Sequence, residues 1–267
     1  MIAPAAAIIE PPMPMVEFRN VVYEISGRTI LAGLTFAVEP GETLVLLGRS
    51  GSGKTTALKM VNGLLFPSSG EVLVDGKATT AWEPIQLRRH IGYVIQEVGL
   101  FPHFTVGRNV ALVPQLEKWP KDKVRARTEE LLDRVGLPAA EFAARYPHQL
   151  SGGQRQRVGV ARALAADPEL LLFDEPFGAL DPVTRFDAQQ MFLDLRKSLN
   201  KTAIFVTHDV REALQLASRI ALLRQGRLET LSGPEEFLRE TGAEAQAFLK
   251  CLGDGRIGPE SNAPTVK

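Results

Sequence analysis

Hydrophobic positions run along this chain in two alternating textures. Short runs of β-branched and aliphatic residues predict strands over 16–22, 34–38, 43–47, 71–74, 91–95, 170–173 and 203–206. Pro40-Gly41 and Asp75-Gly76 mark turns between them. Apolar residues at helical spacing predict a helix over 55–65, where Leu58, Val61, Leu64 and Leu65 share a face. Three more helices are predicted over 121–135 (closed by Gly136), 151–166 and 183–199. Residues 220–223 and 227–231 read as a late hairpin around Gln225-Gly226. Strands alternating with helices predict an α/β fold with a mainly parallel central sheet. The mostly helical stretch over about 97–166 reads as an insertion into that sheet, and no internal repeat is visible.

Composition narrows the function. With 267 residues, 45% of them hydrophobic, the chain can bury a substantial core. Its 31 basic and 31 acidic residues balance, so no net field draws it to nucleic acid or to an anionic membrane surface. Cys251 is the single cysteine, which excludes an intrachain disulfide and a thiolate-based zinc site and fits a reducing compartment. His90, His103 and His148 lack metal-ligand spacing and read as surface or loop residues. No run approaches the roughly 18 apolar residues of a membrane span. The first 14 residues, proline-rich and without a basic start, read as a disordered arm rather than a signal peptide, and 253–267 reads as a disordered tail. The folded unit is expected over 15–252.

Candidate chemistry gathers where predicted strands end. Gly48-Arg49-Ser50-Gly51-Ser52-Gly53-Lys54-Thr55-Thr56 lies between a strand and a helix and satisfies the phosphate-loop pattern. Its backbone N–H groups and the helix N-terminus suit phosphates, Lys54 reaches the β- and γ-phosphates, and Thr55 is a Mg²⁺ ligand. The strand over 170–173 ends in two carboxylates, Asp174 for Mg²⁺ and Glu175 as general base. Ser151-Gly152-Gly153-Gln154 opens a helix, both as a capping box and, through two glycines that weaken a helix, as a second anion-binding N-terminus. Gln96 and His208 also follow strands, at the edge shared with the phosphate loop. Gln96 suits a contact with Mg²⁺ or the attacking water, and His208 a contact with the γ-phosphate.

The ordered set GRSGSGKTT, VIQ, LSGGQ, LLLFDEP, GALD and THD resembles the ATP-binding-cassette ATPases over about 16–231. The resemblance implies a RecA-like core of the P-loop NTPase type, a small antiparallel β subdomain and the inserted helical subdomain. It also implies ATP and Mg²⁺ as ligands and a homodimer, or a pair with a similar cassette. In that pair the phosphate loop of one chain faces the LSGGQ segment of the other, and Asp181 sits in the loop linking the two sites. Tyr23, ahead of Ser26-Gly27, is expected to stack on adenine, with Ile25 as the ungapped alternative. QEVGLFPHFTVGRNVALVPQL, EPFGALDPVTR and ARYPHQLSGGQ resemble importer cassettes of the quaternary-amine osmoprotectant class. That implies a peripheral subunit on the cytoplasmic face of the inner membrane, transmembrane permease partners, an indirect link to a substrate-binding protein and no nucleic acid. Leu100, Phe101, Phe104 and Val106 are expected to dock the permease. The regulatory domain pair that many such cassettes carry after the ATPase is not expected here. Export or lipid transport, and soluble non-transport work, are the competing readings.

Overall fold

Val16, Phe18 and Val21 are buried along β1 (Val16–Ile25), which turns at Ser26 and Gly27 into β2 (Arg28–Val38). Both turn residues have positive φ, 52° and 74°, the conformation tight hairpins need. Phe18 faces Phe36 across the pair and their rings stack at 4.5 Å. The structure, a computed structural model, describes residues 13–96, 98–199 and 201–253. The expected tail over 253–267 therefore lies outside the described residues except for Gly253, and so does the arm over 1–14 except for Met13 and Pro14.

β2 starts six residues before the predicted strand. Gly33 sits mid-strand at φ 80°, close to Asn20, and this irregularity hides the alternation that sequence reading depends on. β3 (Thr43–Leu47) is buried throughout and leads through the glycine loop into α1 (Lys54–Val61). The predicted extension of α1 to residue 65 fails because Gly63 takes φ 63° and Leu64 points to solvent, 48% exposed. β4 (Ser69–Val74) and β5 (Lys77–Ala78) complete a four-stranded antiparallel sheet in the order β2-β1-β4-β5. Next comes α2 (Pro84–His90), unpredicted although Glu83 caps it and Pro84 opens it, and then β6 (Ile91–Val94).

The helical stretch comprises α3 (Val106–Val110), α4 (Leu112–Leu116), α5 (Lys121–Arg134), α6 (Ala139–Phe142) and α7 (Gly152–Leu164). β7 (Leu170–Asp174), α8 (Pro182–Leu199), β8 (Thr202–Thr207), α9 (Val210–Leu216), β9 (Arg219–Arg224) and β10 (Arg227–Ser232) follow. The short α10 (Pro234–Phe237) and α11 (Ala243–Gly253) end the described chain. The second sheet has six strands in the order β10-β9-β3-β8-β7-β6, parallel except for the β9–β10 hairpin.

Residues on opposite faces of this sheet enter separate apolar cores. Val45 and Leu47 join the helices α3 and α5 to α9, whereas Leu44 and Leu46 join α1 and the small sheet. Register then places the site. Leu47 pairs with Thr207, Asp174 with Val206, and Val94 with Phe173. The carboxyl ends of β3, β8, β7 and β6 therefore lie along one edge, where open α/β sheets bind ligands.

Candidate active site

Glycines give the phosphate loop its backbone turns. Gly51 and Gly53 take φ 78° and 100°. A Cβ on Gly53 would lie 2.6 Å from Leu31 Cδ2, so β2 leaves no room for a side chain there. α1 begins without a side-chain cap, and its first amides have no partner within the helix. Lys54 is buried and donates from Nζ to Gly48 O at 2.7 Å and to Arg49 O at 2.9 Å, curling the loop round its own ammonium. Burial lowers its pKa, opposed by the charges of Glu175 and Asp174. Ser52 Oγ is buried inside the loop with no hydrogen-bond partner, an orphan that an incoming oxygen ligand would satisfy. The Arg49 side chain is held outward, its Nε 2.6 Å from Glu244 Oε1 of α11.

Two paired contacts stand beside this loop. Thr55 Oγ1 donates to Asp174 Oδ1 at 2.8 Å, joining the start of α1 to the end of β7. Burial raises the Asp174 pKa, while the Thr55 hydroxyl acts in the opposite sense. Tyr93, which sequence reading passed over, packs its hydroxyl 3.4 Å from Asp174 Oδ2. Glu175 adopts φ 44°, rare for a residue with a side chain. Its Oε2 lies 3.0 Å from His208 Nδ1, so β7 and β8 bring together the two groups that sequence alone placed only on one edge. Gln96 is exposed close by: a Cβ on Gly178 would be 3.8 Å from Glu175 Oε2 and 3.9 Å from Gln96 Nε2.

A helix-capping arrangement fixes the two remaining motifs. Gln154 N donates to Ser151 Oγ at 3.2 Å and Ser151 N to Gln154 Oε1 at 2.9 Å, a complete capping box on α7. The two glycines differ in purpose. A Cβ on Gly153 would fall 2.2 Å from Thr184 Cγ2, so this glycine lets α7 approach α8, a packing reason beside the ligand approach that the sequence pattern suggests. Gly152 is exposed, and its Cβ would meet only ordinary contacts. Gly153→Ala should therefore lower stability by about 1–3 kcal/mol. Gly152→Ala should leave the melting temperature unchanged or higher, as thermal unfolding of both variants would show. Asp181 accepts from Thr184 N at 3.1 Å ahead of Pro182, capping α8, and the Thr184 side chain helps hold its pKa low.

The family is decided by this ordered set together with the comparisons. The family described as ABC transporter matches residues 31–178. The chain belongs to that family. Over 218 residues, 82% of this cassette, it is 50% identical to the glycine betaine/carnitine/choline transport ATP-binding protein OpuCA of Bacillus subtilis. It is 52% identical over 207 residues, 78% of the cassette, to the osmoprotectant import ATP-binding protein OsmV of Salmonella typhimurium. The chain spans 57% and 54% of these two relatives. Among solved structures, the dimeric post-hydrolysis state of the ATP-binding cassette MJ0796 bound to ADP and Pi superimposes with a TM-score of 0.73 at 35% identity. That match covers 82% of this cassette and 99% of the other chain.

The cassette's packing bears on two expected contacts. Tyr23 is half-buried against the apolar core beneath the small sheet, whereas Ile25 at the end of β1 is 52% exposed. In the stretch over 99–106, Val106 is fully buried and so is no surface contact, and Leu100 is partly buried against the core. Phe101 is 40% exposed, and Phe104 lies under the Arg108 guanidinium, 3.9 Å from its ring centroid. Asn109 was missed by sequence reading. It is fully buried, and its side chain binds the backbone of Phe101, Phe104 and Thr105, giving this segment one shape.

Proposed function

We propose that this cassette binds ATP on the phosphate loop, hydrolyses it, and thereby powers a membrane importer for a quaternary-amine osmoprotectant. The observation that carries the reading is the single sheet edge at which Lys54, the Thr55–Asp174 pair and the Glu175–His208 pair meet. The α-, β- and γ-phosphates lie against the amides from Gly48 to Thr56, with Lys54 leaving its carbonyl partners for the phosphates. Thr55, Asp174 and Gln96 offer a hydroxyl, a carboxylate and an amide oxygen, the hard donors that suit Mg²⁺, and the orphan Ser52 Oγ is consistent with an oxygen-rich ligand there. Bound with the nucleotide, Mg²⁺ neutralises charge on the phosphate oxygens.

Glu175 takes the proton of the water that attacks the γ-phosphorus, as the bond from that phosphorus to the oxygen of ADP breaks. His208 Nδ1 is engaged by Glu175, which leaves Nε2 to face a γ-phosphate oxygen. Ser151, Gly152 and Gln154 serve the nucleotide of a second chain, and Asp181 links the two sites. Ile25, the exposed apolar side chain ahead of the hairpin turn, meets the adenine in place of Tyr23.

Among the described residues no helix is long and apolar enough to cross a membrane. The proposed place is peripheral, on the cytoplasmic face of the inner membrane, against permease subunits that a substrate-binding protein loads from the other side. The exposed Phe101, with Phe104 against its ring, offers the docking surface. The two relatives' names and the QEVGLFPH and NVALVP segments support the osmoprotectant class. The test is reconstitution with the permease in liposomes, with betaine, choline, carnitine and proline compared as stimulants of ATP hydrolysis. Stimulation by at least one of these is expected. Stimulation only by a sugar or a phosphate ester would contradict the solute class.

A further inference from the structure

Glu212 is a buried carboxylate with no contact to the phosphate loop. It is 6% exposed and lies in the first turn of α9, three residues after the helix cap Asp209. A glutamate at that position ordinarily reaches back to the cap's own amide. Here it does not. The Asp209 amide donates to Thr207 Oγ1 at 3.0 Å, and the Thr207 hydroxyl in turn donates to Glu212 Oε2. Glu212 Oε1 accepts from Gln189 Nε2 of α8 at 3.1 Å.

Thr207 and Asp209 flank His208, so this chain of bonds holds the histidine from both sides, through the N–H of the His208–Asp209 peptide and through the side chain of the residue before it. Gln189 belongs to the helix that Asp181 caps, so the same chain runs from the end of β8 to α8. Burying a carboxylate is costly, and filling the same space with apolar atoms would be no less stable. Burial raises the Glu212 pKa, and its two neutral donors act in the opposite sense. A group so costly to bury is best explained by the geometry it imposes.

We propose that Glu212 is a positioning residue that holds His208 at Glu175 and ties its placement to helix α8. The inference rests on the reading of His208 as a γ-phosphate contact. The experiment is a double-mutant cycle on the full chain, with Glu212→Ala, Glu212→Gln and His208→Ala measured singly and in combination. Glu212→Ala should lower kcat by about 10- to 10²-fold, the cost of a displaced catalytic group, with the KM for ATP within roughly twofold. Glu212→Gln keeps one acceptor and, with the Thr207 hydroxyl reversed, one bond to it, so most of kcat should return. In the His208→Ala background Glu212→Ala should cost less than about twofold, because the residue it positions has gone.

Equal losses in both backgrounds would overturn the proposal. So would a change confined to KM. If Glu212→Ala fails to fold, Gln189→Leu breaks the other bond of the same carboxylate and is read in the same way. Normal turnover by His208→Ala would refute the His208 reading itself. The positioning claim would then be judged by ¹⁵N NMR of the His208 ring nitrogens. Their shifts should move in Glu212→Ala, or in Gln189→Leu, and unmoved shifts would overturn the proposal.

Discussion

Glu175→Gln is expected to bind ATP and to hydrolyse it at least ~10²-fold more slowly, within the range general-base catalysis contributes. The substitution keeps the side chain's size and replaces only its capacity to accept a proton. The backbone should tolerate it, because the left-handed conformation at φ 44° is stabilised by Glu175 N donating to Val206 O and Gly178 N donating to Glu175 O. His208 keeps a partner at the remaining amide oxygen. Steady-state phosphate release gives the rate, and nucleotide binding by fluorescence gives the affinity. With hydrolysis blocked, the nucleotide-bound pair of chains should persist as a dimer on size exclusion. Near-normal turnover would remove Glu175 from the role of base.

Lys54→Met should weaken ATP binding by roughly 10- to 10²-fold, which corresponds to about 1.5–3 kcal/mol for a hydrogen bond to a charged group. The replacement fills the same channel without a charge, so the loss reports the ammonium. Without nucleotide the variant also leaves the Gly48 and Arg49 carbonyls without their donor. A modest fall in melting temperature should therefore accompany the loss of affinity. Isothermal titration with ATP and a thermal melt on the same sample separate the two. Unchanged affinity would mean that phosphates do not lie where the loop amides point.

The parts of this architecture written in local pattern were legible in sequence. The glycine loop, the strand before it and the carboxylates after β7 are contiguous, and the alternation of textures placed the parallel sheet. Pairings between distant residues were not legible. The Glu175–His208 contact joins residues 33 positions apart, and register between β7 and β8 is what creates it. The Thr55–Asp174 bond spans 119 positions.

Short elements were missed for a different reason. α2 has only seven residues, and α10 only four, too few for periodicity to register. Tyr23 shows the limit of sequence in another way, because an aromatic on a strand looks the same whether it stacks on a ligand or on its own core. Glu212 and Asn109 carried a readable signal: each is a polar residue on the apolar face of its segment, in VREAL and GRNVAL. A buried polar group at such a place implies a bond that must be found.

The central claim is that catalysis needs the phosphate loop of one chain and the Ser151–Gln154 turn of another. It is tested most directly by mixing two inactive variants, Lys54→Met and Gly152→Asp. The second should fold, because Gly152 is exposed and a Cβ there meets only ordinary contacts. At an ATP concentration well below the weakened affinity of Lys54→Met, each variant alone should be nearly inactive. A mixed pair has one site with both lesions and one with neither, so random pairing should restore roughly a quarter of the wild-type rate. A mixture as inactive as its components would contradict the shared site, and full activity of Gly152→Asp on its own would contradict the role of that turn.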